Sequence, residues 1–202
     1  MRMTFDIVVL LGSGRSNGNS EAAAMALIKP LQDSGSSVKV FRLAEMEINH
    51  CRGCNACANN GGSCIIQDDM TQLYPFLEEA DLVLLVTPIY FSGPSSVLKQ
   101  VIDRCQCMWV RTRKGKENRY GALLTVSGQE NANFQNTRSI VRSFLNTLSV
   151  GWGGDISFSG YDEPDELGSD PDALERARAF GLELLESIKA RSGPGMDGRS
   201  IE

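Results

Sequence analysis

Three cysteines, Cys51, Cys54 and Cys57, recur at every third position, and Cys64 follows seven positions after the last of them. Thiolates are soft ligands, and four of them in one segment can hold an iron–sulfur cluster or a structural zinc. The run Cys-x-x-Cys-x-x-Cys is tighter than the two separated knuckles of common zinc sites, which favours a 4Fe-4S cluster on Cys51, Cys54, Cys57 and Cys64. Gly61-Gly62 gives the chain freedom to fold Cys64 back. The competing reading is that these thiols pack, or shape a neighbouring pocket, without metal. Cys105 continues an apolar stripe and reads as core. Cys107 has no reading of its own, and His50, the single histidine, reads as solvated.

A second segment could bind an anion. Gly12-Ser13-Gly14-Arg15-Ser16-Asn17-Gly18-Asn19-Ser20 joins the apolar run Ile7–Leu11 to an Ala- and Leu-rich stretch from Glu21 to Leu31. A strand-to-helix loop offers backbone N–H groups at the positive end of the helix dipole. The serine hydroxyls, the Asn17 and Asn19 amides and the Arg15 guanidinium exceed what turning requires. A nucleoside triphosphate loop would end Gly-Lys-Ser/Thr, and this one has no lysine. A dinucleotide loop would place its third glycine one residue before Gly18. It would also want a carboxylate after the second strand, where Phe41-Arg42-Leu43 stands. One terminal monophosphate fits better, and FMN carries one.

These segments need elements to hold them. Ile7–Leu11, Leu82–Val86 and Ala122–Val126 are wholly apolar runs that read as buried parallel strands; Val38–Phe41 and a weaker Gly154–Phe158 make five. Between them, helical patterns run from Glu21 to Leu31, from an Asp68-Asp69 cap to Glu79, and from Pro94 to about Cys107. Two more run from Phe134 to Leu148 and from Leu174 to Ile188. Strict alternation predicts an α/β three-layer doubly wound sheet in order 2-1-3-4-5, with ligands at the carboxyl ends of the strands. The expected domain is 1–190, with a Ser/Gly/Pro tail over 191–202.

The chain has 202 residues, 42% apolar and 22% charged, with a net charge of −5. That suits one domain and offers no bulk attraction to nucleic acid or an anionic membrane. No run reaches membrane-spanning length and no secretory leader is apparent, so a cytoplasmic location with reduced thiols is expected.

In combination these segments resemble the flavodoxin-like NAD(P)H-dependent FMN reductases. The resemblance rests on the 12–20 loop, on Thr87-Pro88-Ile89-Tyr90-Phe91-Ser92-Gly93-Pro94, and on Leu98-Lys99-Gln100-Val101-Ile102-Asp103-Arg104. Cys51-x-Gly53-Cys54-x-x-Cys57, leading to Cys64 and Asp68-Asp69-Met70, is similar to the iron–sulfur flavoprotein branch. The likeness covers residues 5 to 150 and departs at Gly14, where many relatives carry proline. It implies that Ser13, Arg15, Ser16, Gly18, Asn19 and Ser20 hold the FMN phosphate. Pro88, Ile89, Tyr90, Phe91, Ser92 and Gly93 would line the isoalloxazine, and Ser127, Gly128 and Gln129 would touch its far edge.

The implied activity passes electrons from NADH or NADPH through FMN to a quinone, flavin or similar small acceptor. The alternative is an iron–sulfur flavoprotein relaying electrons from a ferredoxin-like donor, and a third reading is a non-enzymatic carrier or thiol sensor. A homo-oligomer, dimer or tetramer, is also implied. The basic run Arg111–Lys116, with Arg119 nearby, reads as a solvated loop that could alternatively meet nicotinamide phosphates. The acidic Asp162–Glu166 stretch reads as exposed and without a basic partner, and Trp109 and Trp152 as core or interface.

Overall fold

A computed structural model describes residues 4–111 and 118–191. Its elements, in chain order, are β1 (Asp6–Leu11), α1 (Asn19–Asp33), β2 (Ser37–Arg42), α2 (Met70–Glu79), β3 (Leu82–Tyr90), β4 (Gly93–Pro94), α3 (Ser96–Arg104), α4 (Gln106–Trp109), β5 (Tyr120–Ser127), α5 (Gln135–Thr147), β6 (Gly151–Ser159) and α6 (Pro171–Arg191). Five strands form one parallel sheet in order β2-β1-β3-β5-β6, and β4 turns back antiparallel on the end of β3. Counting the parallel strands alone, this is the 2-1-3-4-5 order of flavodoxin-like folds.

The inner strands β1 and β3 carry unbroken apolar runs, Ile7–Leu11 and Leu82–Val86, because both of their faces are covered. Ile7, Val9 and Leu11 of β1 pack under α1 and α6, while Val8 and Leu10 face the core beneath α2, α3 and α5. That two-residue alternation between two cores is what makes the sheet the middle of three layers.

The expected helix from Pro94 to Cys107 is broken. Pro94 belongs to the hairpin strand, Ser95 is the N-cap with its hydroxyl accepting from Leu98 N–H at 3.4 Å, and a short break at Cys105 separates α3 from α4. Asp68 and Asp69 do open α2, but differently from simple capping. Asp68 takes the Met70 N–H at 3.1 Å, and Asp69 takes the N–H of Glu47 at 2.7 Å, tying the loop to the helix. Trp109 is exposed rather than core, whereas Trp152 packs against the second core with Arg142 over its ring. Arg191 closes α6; the remainder of the expected tail and residues 112–116 of the basic run lie outside the described residues. Among the described residues no helix is long and apolar enough to cross a membrane.

Candidate functional site

The carboxyl ends of β1, β3, β5 and β6 open onto one cleft of about 570 Å³. Gly12, next to Ser13 in its lining, fixes where the first loop leaves the sheet. Its N–H donates to Val86 O at 2.8 Å and its carbonyl accepts the Ser95 hydroxyl at 2.6 Å, fastening the end of β1 to β3 and the start of α3. A Cβ here would lie 2.9 Å from Leu98 Cβ, so only glycine permits that approach.

Beyond Gly12 the loop turns on itself, with Ser13 Oγ accepting from Arg15 N–H at 3.2 Å. Helix α1 then begins at an N-cap, Gly18, that supplies no side-chain acceptor. Among the described residues the N–H groups of Asn19 and Ser20 therefore start the helix with no helical or side-chain partner, which is the condition for anion binding at a helix start. The Asn17 N–H is already taken, by Glu21 Oε2 at 2.9 Å. The Arg42 guanidinium beside Glu21 holds that carboxyl below its ordinary range despite burial.

A second wall comes from the end of β3. Tyr90-Phe91-Ser92-Gly93 is a two-residue hairpin turn with φ of 51° at Phe91 and 60° at Ser92. Positive φ at both central positions is the geometry that Asn-Gly usually provides. A phenylalanine there is strained, and its ring is fully exposed, so it gains no packing in return. Strain of this kind gathers at ligand clamps. Phe91 is thus not a core residue.

The cleft brings together Ser13, Arg15, Gly18, Asn19 and Ser20 with Pro88 to Ser92 and Ser127 to Gln129. Of the candidates named above, Ser16 and Gly93 do not line it. Val126, Asn133, Tyr161 and Asp162 do, and the sequence reading missed them. A signal existed for two of these: Tyr161 and Asp162 leave the carboxyl end of the fifth parallel strand, as the other wall segments leave theirs. The acidic stretch also meets a basic group, because Arg15 Nη1 donates to Asp162 O at 3.4 Å.

Asn19 plays a different part from the expected one. Its Nδ2 donates to Tyr161 O at 3.2 Å and to Glu163 O at 2.8 Å, and its Oδ1 accepts from Leu167 N–H at 3.0 Å. The amide holds the 161–167 wall against α1, leaving only the backbone N–H of Asn19 for an anion. Tyr161 is fixed further by its hydroxyl, which donates to Asp170 at 2.6 Å.

A second cavity, of about 160 Å³, lies beside the 51–64 loop and is lined by Cys51, Cys54, Cys57 and Cys64, with Cys107 and Arg104. Gly53, Asn55, Gly61 and Gly62 all take positive φ, so the loop doubles back as its glycines suggested. Burial pushes the Cys107 and Cys105 thiols up. Among the described residues no three His, Cys, Asp or Glu side chains are gathered closely enough to hold one metal ion. His50 is exposed.

The reading of the basic run as a nicotinamide-phosphate site loses Arg119, which is buried and donates to Ala80 O, Leu148 O and Leu77 O. Arg111 is paired with Glu78 and donates to Gly62 O at 2.8 Å.

The sequence pattern of the family described as NADPH-dependent FMN reductase matches residues 5–152. An iron-sulfur flavoprotein of Archaeoglobus fulgidus is 30% identical over 190 residues, covering 91% of this chain and 80% of that protein. An iron-sulfur flavoprotein of Methanocaldococcus jannaschii is 27% identical over 190 residues, covering 91% of this chain and 97% of its own length. In fold, the chain resembles an NAD(P)H:quinone oxidoreductase from Methanothermobacter marburgensis, with a TM-score of 0.64 at 17% identity over 90% of this chain and 96% of the other.

Proposed function

Because the chain belongs to the NADPH-dependent FMN reductase family, in its iron–sulfur flavoprotein branch, and is a flavin-dependent oxidoreductase, we propose the following division of labour among its residues. The single observation that carries it is the cleft joining an uncapped helix start to the carboxyl ends of four strands. The FMN phosphate sits on the N–H groups of Asn19 and Ser20, with Ser13 and Arg15 closing over it and Gly18 allowing close approach. Pro88 to Ser92 form one face for the flat ring, and Ser127 to Gln129 with Asp162 bound its edge. Bound FMN supplies hydride acceptance from NADH or NADPH and release of electrons to a small acceptor such as a quinone. The protein's own work is to bind, orient and exclude water. Anaerobic titration tests this: the protein should bind FMN and its flavin absorbance should bleach on adding NADPH or NADH. FMN-loaded protein that bleaches with dithionite but with neither nucleotide would remove the pyridine-nucleotide step.

The thiol cavity favours a second component. One zinc ion with bonds of about 2.3 Å needs its sulfurs about 3.8 Å apart. The four cysteines line one cavity of about 160 Å³, which offers room for a larger inorganic core. We read Cys51, Cys54, Cys57 and Cys64 as ligands of a 4Fe-4S cluster exchanging electrons with a ferredoxin-like donor. Iron and acid-labile sulfide in anaerobically purified protein support this reading, and their absence after reconstitution rejects it. A homo-oligomer belongs to the same proposal, with the exposed Trp109 on the contact face; light scattering of wild type and Trp109→Glu tests it.

A further inference from the structure

A buried guanidinium stands at the wall of the thiol cavity, with a buried carboxylate behind it. The side chains of Arg104 and Asp68 are 0% and 3% exposed and form a bidentate ion pair. Such a pair is a poor route to stability, since an apolar replacement of similar volume often does as well. Its contacts suggest another purpose. Arg104 Nη1 donates to Asn49 O at 2.8 Å, just before Cys51, and Nη2 donates to Ile66 O at 3.3 Å, just after Cys64. Nη2 also lies 3.7 Å from Cys64 Sγ, and Nε is buried without a partner. The residue is itself anchored: its helix packs through Leu98 and Val101, and its carbonyl accepts from Tyr74 Oη at 3.0 Å and Cys107 Sγ at 3.4 Å.

We propose that Arg104 is the positioning residue of the thiol cavity, pinning both ends of the cysteine loop and presenting a cationic N–H donor to the Cys64 sulfur. The first role organises the ligands before anything binds. The second stabilises extra negative charge on sulfur, so a centre held there is easier to reduce; hydrogen bonds to sulfur and local charge are the protein's means of setting such potentials. The electrostatic role rests on the cluster reading above, whereas the pinning role stands on the polypeptide alone.

The test compares Arg104→Met, Arg104→Lys and the charge-free pair Asp68→Asn/Arg104→Met, which carries the experiment if the single Met variant fails to fold. FMN titration is the control for folding, because the flavin cleft lies at the other end of α3. In iron-free, reduced protein, amide exchange over residues 49–66 should quicken on the order of tenfold without the guanidinium, and lysine should not restore it, since a single ammonium nitrogen lacks the planar spread by which Nη1 reaches Asn49 O and Nη2 reaches Ile66 O. In reconstituted protein, the midpoint potential should fall in the Met variants and return toward wild type in Arg104→Lys. Unchanged exchange over 49–66 overturns the pinning role. Equal potentials in the Met and Lys variants overturn the electrostatic role. Wild-type protein that takes up neither iron nor sulfide overturns the cluster reading and the electrostatic role together, while the exchange result still decides the pinning.

Discussion

Replacing Asn19 with alanine separates two accounts of the flavin cleft. If the amide grips phosphate, as the family resemblance implies, its loss should harm FMN binding and spare riboflavin. If it holds the 161–167 wall, as its three hydrogen bonds indicate, both ligands should suffer equally. The size of the effect follows from what is left behind. Leu167 is fully buried, so its N–H would find no water, at a cost of about 1–3 kcal/mol. The Tyr161 and Glu163 carbonyls lie on partly or fully exposed residues and can be rehydrated, losing about 0.5–1 kcal/mol each. The sum is about 3 kcal/mol, or a fall of roughly 6–12 °C in Tm for a domain of this size.

A wall that must be reordered on binding transfers part of that energy to affinity, roughly tenfold for each 1.4 kcal/mol. Fluorescence-quenching titrations of the apoprotein with FMN and with riboflavin, beside thermal unfolding, measure all three quantities. Arg15→Gln is the contrast, with a loss selective for the phosphorylated ligand. Asn19→Ala protein with wild-type Tm and wild-type riboflavin affinity but weakened FMN binding would refute the reasoning.

Three further changes probe the frame of the cleft. Gly12→Ala drives a methyl to 2.9 Å from Leu98 Cβ and 3.0 Å from Val86 O, and should cost about 1–3 kcal/mol in urea unfolding with an unchanged m-value. Glu21 has its folded pKa lowered by Arg42, so its stabilisation is present above the unfolded carboxylate value of about 4.3 and is lost as pH falls through the folded value. With the Arg42 side chain 37% exposed, the term is screened to under about 1 kcal/mol; Glu21→Gln should lack it, leaving a flatter stability profile below about pH 4.3 in chemical unfolding. Phe91→Asn should raise apoprotein stability by up to about 1 kcal/mol, because asparagine tolerates the left-handed backbone. The same change should weaken flavin binding several-fold through loss of an aromatic contact worth about 0.5–1.5 kcal/mol.

The sheet was legible because its signal is local. Unbroken apolar runs at Ile7–Leu11 and Leu82–Val86 can be satisfied only by burial on two faces, and alternation with amphipathic helices forces parallel crossovers. The cleft was legible for a related reason: once the strands are known, whatever follows their carboxyl ends must meet. Hence Ser13, Pro88 and Ser127 came together from three distant segments. Polar side chains were read less well. Arg119 in a basic run looks solvated, yet it is drawn inward to carbonyls of Leu77, Ala80 and Leu148. Asn19 in a phosphate loop looks like a ligand group, yet its partners lie more than 140 residues away. Nothing local distinguishes a donor aimed at water from one aimed at a carbonyl that tertiary folding will bring close.

Asn19 shares a physical task with Arg104. A loop shaped for a ligand cannot fill itself with apolar side chains, yet holding it in one conformation costs about 1–2 kcal/mol per residue in backbone entropy. A buried side chain with several anchors offsets part of that cost and leaves the ligand-facing surface free. Asn19 does so for the flavin wall and Arg104 for the cysteine loop, each from a helix terminus seated in the core. Helix α3 spans the two sites: Ser95 at its start fastens Gly12 and so the loop of the cleft, and Arg104 at its end fastens the cysteine loop, about 13 Å away at 1.5 Å per residue. Movement of α3 would therefore disturb both sites together, whereas loss of either anchor alone should loosen one and spare the other.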